Sequence, residues 1–151
     1  MEIDFELVVR LSVALICGGL VGVEREKKGK AAGFRTHAIV SSGAALIMLI
    51  SIYMFNEFKS QGAMVDPSRI AAQVITGIGF LGAGAIIRSG VTIAGLTTAA
   101  TLWVCAAIGL AAGAGYYQGA IVTTALVMII LIILKPMEKK LFKSKRAQKK
   151  E

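Results

Sequence analysis

Residues 66–103 read DPSRIAAQVITGIGFLGAGAIIRSGVTIAGLTTAATLW. The stretch opens on Asp66 and Arg69 around Pro67, passes through Gly77, Gly79, Gly82 and Gly84, meets Arg88, and closes on Thr97, Thr98, Thr101 and Trp103. No carboxylate occurs between Asp66 and Glu138, and Arg88 is the sole charge between Arg69 and Lys135. One bilayer crossing needs about 20 apolar residues. A charge-poor run several times that length belongs inside a membrane.

Working outward, the same texture covers most of the 151 residues, which are 56% hydrophobic and 17% charged. Soluble domains carry about 25% charged residues. The expected fold is all-α: a polytopic integral membrane protein of five transmembrane helices, about 5–23, 36–55, 68–87, 96–114 and 117–134. They form one unit, residues 1–137, followed by a basic tail, 138–151. Pro67 disfavours helical geometry at Asp66, so Asp66 is expected to cap the third helix with Pro67 at its first position. Glu6 and Arg10, four apart on the first helix, are placed to pair.

The formal net charge of +8 acquires meaning through its placement. One side of a five-helix arrangement holds Arg25, Lys27, Lys28, Lys30, Arg35, Arg88 and the tail from Lys135. The other holds Glu2, Asp4, Glu6, Glu57, Lys59, Asp66 and Arg69. The positive-inside rule makes the first side cytoplasmic, with the N-terminus outside and the C-terminus in the cytoplasm. The acidic start is not expected to be a cleavable signal peptide. The tail is read as a topogenic segment resting on anionic lipid, or as a docking tail for an acidic partner. Aromatic residues do not interleave with the basic ones, so nucleic acid is not expected as a partner. Cys17 and Cys105 lie in apolar runs and are expected to pack as small hydrophobes.

Candidate chemistry is sparse. Gly77, Gly79 and Gly82 match GxGxxG, but a dinucleotide site requires a preceding strand and an acidic residue about 20 positions on. The glycines are better explained as close-approach points between membrane helices. Four in eight residues also permit a break at membrane depth; an intact helix is expected. The pairs Gly18/Gly22, Gly109/Gly113 and Gly115/Gly119 have GxxxG spacing, which serves helix packing generally and leaves a homodimer open. His37 is the single histidine, and no nucleophile–base set accompanies it. There is no zinc-ligand cluster. No catalytic residue, metal site or cofactor is therefore expected, and the chain is read as not an enzyme. Glu24, Arg35 and Arg88 are expected to converge in a polar cluster on the cytoplasmic side.

The segments RLSVALICGGLVGVEREKKGKAAGFRTH (10–37) and DPSRIAAQVITGIGFLGAGAIIRSGVTIAGLTTAATLW together resemble the MgtC/SapB family of bacterial inner-membrane proteins. The family motif falls on Glu24, Arg25, Arg35, Thr36, Asp66, Arg69, Gln73, Gly77, Gly79, Gly82, Gly84, Gly95, Leu96, Thr97, Thr98 and Trp103. The resemblance implies a five-helix bundle in the cytoplasmic membrane, linked to magnesium limitation, acid stress and survival inside phagocytes. It also implies regulation by binding larger membrane complexes, such as the F-type ATP synthase or a P-type magnesium pump. Many members add a soluble ACT-like domain after the fifth helix, and this chain is expected to be a short form without it.

Two functions follow as expectations. The first is a non-enzymatic regulator that docks through glycine-rich faces, with Glu24, Arg25, Arg35, Asp66 and Arg69 fixing structure or partner. The alternative is a transporter or channel for magnesium or another ion. Its path would be lined by Gly77–Gly84 with Thr97, Thr98 and Thr101.

Overall fold

The computed structural model describes residues 5–59 and 66–134. The basic tail and residues 60–65 lie outside them. Five helices run α1 (Phe5–Lys27), α2 (Phe34–Lys59), α3 (Ser68–Gly84), α4 (Leu96–Gly113) and α5 (Tyr117–Ile129). A π-helical turn, Ile130–Leu134, continues α5. Two short strands, β1 (Ile87–Ser89) and β2 (Thr92–Ala94), form an antiparallel hairpin between α3 and α4, pairing Arg88 with Ile93. Among the described residues, four helical segments are long and apolar enough to span a membrane: Phe5–Lys27, Phe34–Lys59, Leu96–Gly113 and Tyr117–Leu134. The 17 residues of α3 make a rod of about 26 Å, slightly short of the ~30 Å hydrocarbon core.

Helix α4 is the axis of the bundle and touches all four other helices; α1 with α2 and α2 with α4 form the broadest interfaces. Successive helices run in opposite directions. Arg10 near the start of α1 donates to the Gly113 carbonyl at the end of α4 (2.8 Å). The end of α1 meets the start of α4 at the opposite end. The core is built from small side chains: Ala14, Cys17, Ala45, Ala112 and Ala120 surround Ile108. Val21, Cys105 and Leu131 pack together, as do Ala44, Ile78 and Ala106. Both cysteines are thus buried packers, as their apolar context predicts. The large apolar side chains, Phe80 and Ile39 among them, face outward, as they should when lipid is the solvent.

The GxxxG glycines are consumed inside the chain. A Cβ on Gly18 would sit 2.5 Å from the Ser41 Cβ, and one on Gly22 would sit 2.7 Å from the Phe34 Cα. On α4, a Cβ at Gly113 would lie 2.5 Å from the Ala45 carbonyl oxygen, and one at Gly109 would overlap the Ser41 carbonyl. These four glycines seat α1 and α4 on α2, the helix packing that their spacing suggests.

Helices α1, α2 and α3 differ in their bounds from the sequence reading. Helix α1 runs four residues past Val23, carrying Glu24 and Arg25 into the bundle instead of the connection. Glu, Arg and Lys are good helix formers, so the loss of apolar pattern there does not end the helix. Gly29 does: at φ +60 it is the left-handed residue of a Schellman cap, with Lys30 N–H on the Arg25 carbonyl (3.0 Å) and Gly29 N–H on Glu26 (2.9 Å). Helix α2 spans 34–59 rather than 36–55. Helix α3 is unbroken through its glycines but stops at Gly84 rather than 87, where the hairpin takes over. At the start of α3 the Asp66 carboxylate accepts the Ser68 N–H (2.8 Å), as a capping residue should, while Pro67 has near-helical angles (φ −66, ψ −19). Ser51 of α2 donates to the Pro67 carbonyl and ties the two helices.

Close approach makes a direct prediction. Gly109→Leu should overpack α4 on α2 at a cost of about 1–3 kcal/mol or more, seen as a lower unfolding temperature in detergent or loss of monodisperse protein. Gly79→Ala, where a Cβ meets nothing within 4 Å, should leave that temperature unchanged or raise it.

Candidate functional site

The chemistry-bearing side chains gather where α1 ends, α2 and α4 begin, and the π turn of α5 arrives. Glu24 and Arg25 are adjacent on α1, a spacing that normally turns side chains apart. Here both are buried, at 6% and 2% exposure. The Arg25 Nε and Nη2 both reach Glu24 Oε2. Glu24 Oε1 has no hydrogen-bond partner among the described residues. Glu26, in the last turn of α1, accepts the Phe34 N–H (2.8 Å) and so caps α2 from another helix.

His37 lies fully buried beside this pair. Its Nδ1 is 2.9 Å from the Gly33 carbonyl and its Nε2 is 3.0 Å from the Thr101 hydroxyl. Thr101 Oγ1 is in turn 2.8 Å from the Thr98 carbonyl. A carbonyl only accepts, so Nδ1 carries a proton. The ring therefore pins the start of α2 to the second turn of α4.

A cavity of about 520 Å³ opens next to the ion pair, lined on its polar side by Arg25, Lys30, Gly95, Thr97 and Thr98. Gly95 (φ +88) begins α4 so close to α3 that a Cβ would overlap the Ala85 carbonyl. That contact fixes where the first turn of α4 points.

The expected convergence of Glu24 with Arg35 and Arg88 is not found. Arg35 and Thr36 are exposed on the first turn of α2. Arg88 is exposed on the hairpin, its Nε donating to the Gly90 carbonyl (3.2 Å). The reason is local: Arg25, the next residue along, reaches the Glu24 carboxylate first. At the far end of the bundle, Asp66 and Arg69 are exposed around the start of α3. The Ser68 hydroxyl, with its backbone N–H, holds the Asp66 carboxyl below its usual value. Gln73 and Gly77 line an apolar groove of about 570 Å³ between α2 and α3. Gly82 alone of the glycine ladder packs inward, its Cβ position 3.6 Å from Ala99. Trp103 is half exposed on α4.

These are the positions on which the family likeness rests, and residues 11–140 match the family model described as the MgtC family. The chain belongs to the MgtC family. YhiD of Escherichia coli K12, named as a candidate magnesium transporter, is 46% identical over 127 residues, 83% of this chain and 59% of YhiD. Protein MgtC of Salmonella typhimurium LT2 is 40% identical over 131 residues, 87% of this chain and 53% of that protein. The uncharacterized protein slr0014 of Synechocystis matches at 40% over 132 residues, covering the same shares of the two chains. This MgtC-family chain thus spans little more than half the length of these relatives. No solved structure matches it significantly.

Sequence reasoning left both Glu26 and His37 without partners. The Gly29 turn that folds Glu26 back onto α2 was the available signal for the first. For His37 there was none, because Thr101 is 64 positions away.

Two outcomes test these assignments. Arg25→Met should strand a buried carboxylate and cost about 3–5 kcal/mol in detergent unfolding, with Glu24→Gln/Arg25→Met recovering most of the loss. For Asp66, the folded carboxyl titrates below the unfolded one, so its stabilising contribution is present above the unfolded value and lost as pH falls through the lowered folded value. Carboxyl-carbon NMR in micelles should place the Asp66 midpoint below that of an unstructured aspartate, and Ser68→Ala should move it back up.

Proposed function

We propose that this chain is a non-enzymatic regulator in the bacterial inner membrane, docking a larger ion-handling complex through the outward face of α3. The observation that carries the reading is a contrast among glycines. Gly18, Gly22, Gly109 and Gly113 are filled by neighbours within the chain, whereas a Cβ on Gly77, Gly79 or Gly84 would meet nothing within 4 Å. Helix glycine costs roughly 0.5–1 kcal/mol relative to alanine. Glycines with no internal use leave a smooth surface on which another membrane helix can lie close. Beside them runs the apolar α2–α3 groove.

In this reading α3 crosses the membrane as a fifth span. The end bearing Arg25, Lys30, Arg35 and Arg88 then faces the cytoplasm by the positive-inside rule, with the N-terminus outside. The family resemblance supplies the partner classes, an F-type ATP synthase or a P-type magnesium pump, in adaptation to low magnesium or acid. A homodimer through the same face is a further form of the reading. Transport is the second reading, favoured by the name of the Escherichia coli relative. Against it, the proposed path residues part company. Thr101 is occupied by His37 and Thr98, and none of Gly77, Gly79 and Gly84 lines the cavity that holds Thr97 and Thr98.

A photocrosslinker at Phe80, 83% exposed on α3, should yield an adduct with the ATP synthase or the magnesium pump in native membranes. The same probe at Leu126 of α5 should not, and Gly79→Leu should reduce the Phe80 adduct at least several-fold without lowering protein level. Saturable magnesium flux into liposomes holding the purified chain alone, with no such adduct, would replace regulation by transport.

A further inference from the structure

We propose that the cavity between the end of α1 and the start of α4 binds a phosphate-bearing anion, through Arg25, Lys30, Thr98 and the first turn of α4. The site is assembled from independent parts. The first intrahelical bond recorded at this end of α4 runs from Ala99 N–H to the Gly95 carbonyl (2.9 Å). The N–H groups of Leu96, Thr97 and Thr98 therefore have no acceptor one turn earlier. They carry the partial positive charge of an 18-residue helix, the arrangement that receives phosphate elsewhere.

The second observation is Thr98. Its side chain lines the cavity, is 3% exposed, and among the described residues its hydroxyl has no hydrogen-bond partner. That hydroxyl belongs to the cavity lining, where an anion oxygen can accept a hydrogen bond from it. Third, two cations flank the same space: Arg25, buried on α1, and Lys30, exposed at the rim. Glu24 offsets one of those charges. The remainder, one formal positive charge plus the helix terminus, suits a monoanion such as a phosphodiester, or one edge of inorganic phosphate.

The opposite wall is apolar, with Ile93, Ile130 and Leu131. Part of that wall is the π turn closing α5, a distortion that recurs at functional sites. About 520 Å³ lies within the roughly 300–1,000 Å³ of ligand pockets. The apolar wall leaves room for what carries the phosphate. A phospholipid headgroup entering from the bilayer and a soluble phosphate entering from water share this chemistry.

The test uses the full chain in a neutral detergent, read by native mass spectrometry and by unfolding temperature. One arm adds phosphatidylglycerol against phosphatidylcholine as the baseline, and the other adds inorganic phosphate. Binding above baseline should weaken about tenfold in Lys30→Gln and at least several-fold in Thr98→Val. Lys30 is at the surface, so its variant should fold as the parent does. Selective phosphatidylglycerol binding alone assigns the site to a headgroup, and phosphate binding assigns it to a soluble anion; either supports the proposal. No binding above phosphatidylcholine in either arm overturns it. So does binding that both variants leave unchanged.

Discussion

Helices in lipid cannot gain much by hiding apolar surface from one another, because lipid is as apolar as their partners. What remains is close packing of backbones, and in this protein that packing is concentrated on one face of α2. Ser41, Ala44 and Ala45 receive Gly18 of α1 and Gly109 and Gly113 of α4. Three helices thus share one seam, lined by residues with almost no side chain. Everything polar near the end of the bundle is placed by that seam. The approach of α1 and α4 to α2 brings His37 against Thr101, buries Glu24 with Arg25, and sets the cavity between them.

The buried ion pair is not itself a strong source of stability. Taking two charges out of water costs about as much as their attraction returns. Its structural value lies in what it fixes. Adjacent residues share one carboxylate oxygen, leaving the second oxygen unpartnered and the guanidinium at the edge of a cavity. By comparison, the Glu6–Arg10 pair at the other end is partly solvated and contributes little, while the same arginine ties α1 to the Gly113 carbonyl.

Most of the architecture was legible because the long apolar runs, their caps and their breaks are local signals. Asp66 and Pro67 mark the start of α3, and the run from Leu96 is a helix as its composition suggests. What the sequence hid depends on distance or on brevity. Three-residue strands such as Ile87–Ser89 are too short to display an alternation, so the hairpin read as a break. The extra turn of α1 was masked by its charges, although Gly29 held the stop signal. GxxxG spacing announces close approach without naming the partner, which proved to be internal for Gly18/Gly22 and Gly109/Gly113. The expected meeting of Glu24 with Arg35 and Arg88 treated nearness to a helix end as nearness in space. Exposure of both arginines shows that it is not.

The His37–Thr101–Thr98 chain has a consequence in proton counting. When the imidazole is neutral, its proton sits on Nδ1, and the Thr101 hydroxyl rotates to donate to Nε2. When the ring holds two protons, Nε2 donates instead, and the hydroxyl turns to the Thr98 carbonyl at 2.8 Å. The bond between α2 and α4 survives in both states, with only its direction reversed. A single rotating hydroxyl thus keeps the hydrogen bond between α2 and α4 whichever of its two partners holds the proton.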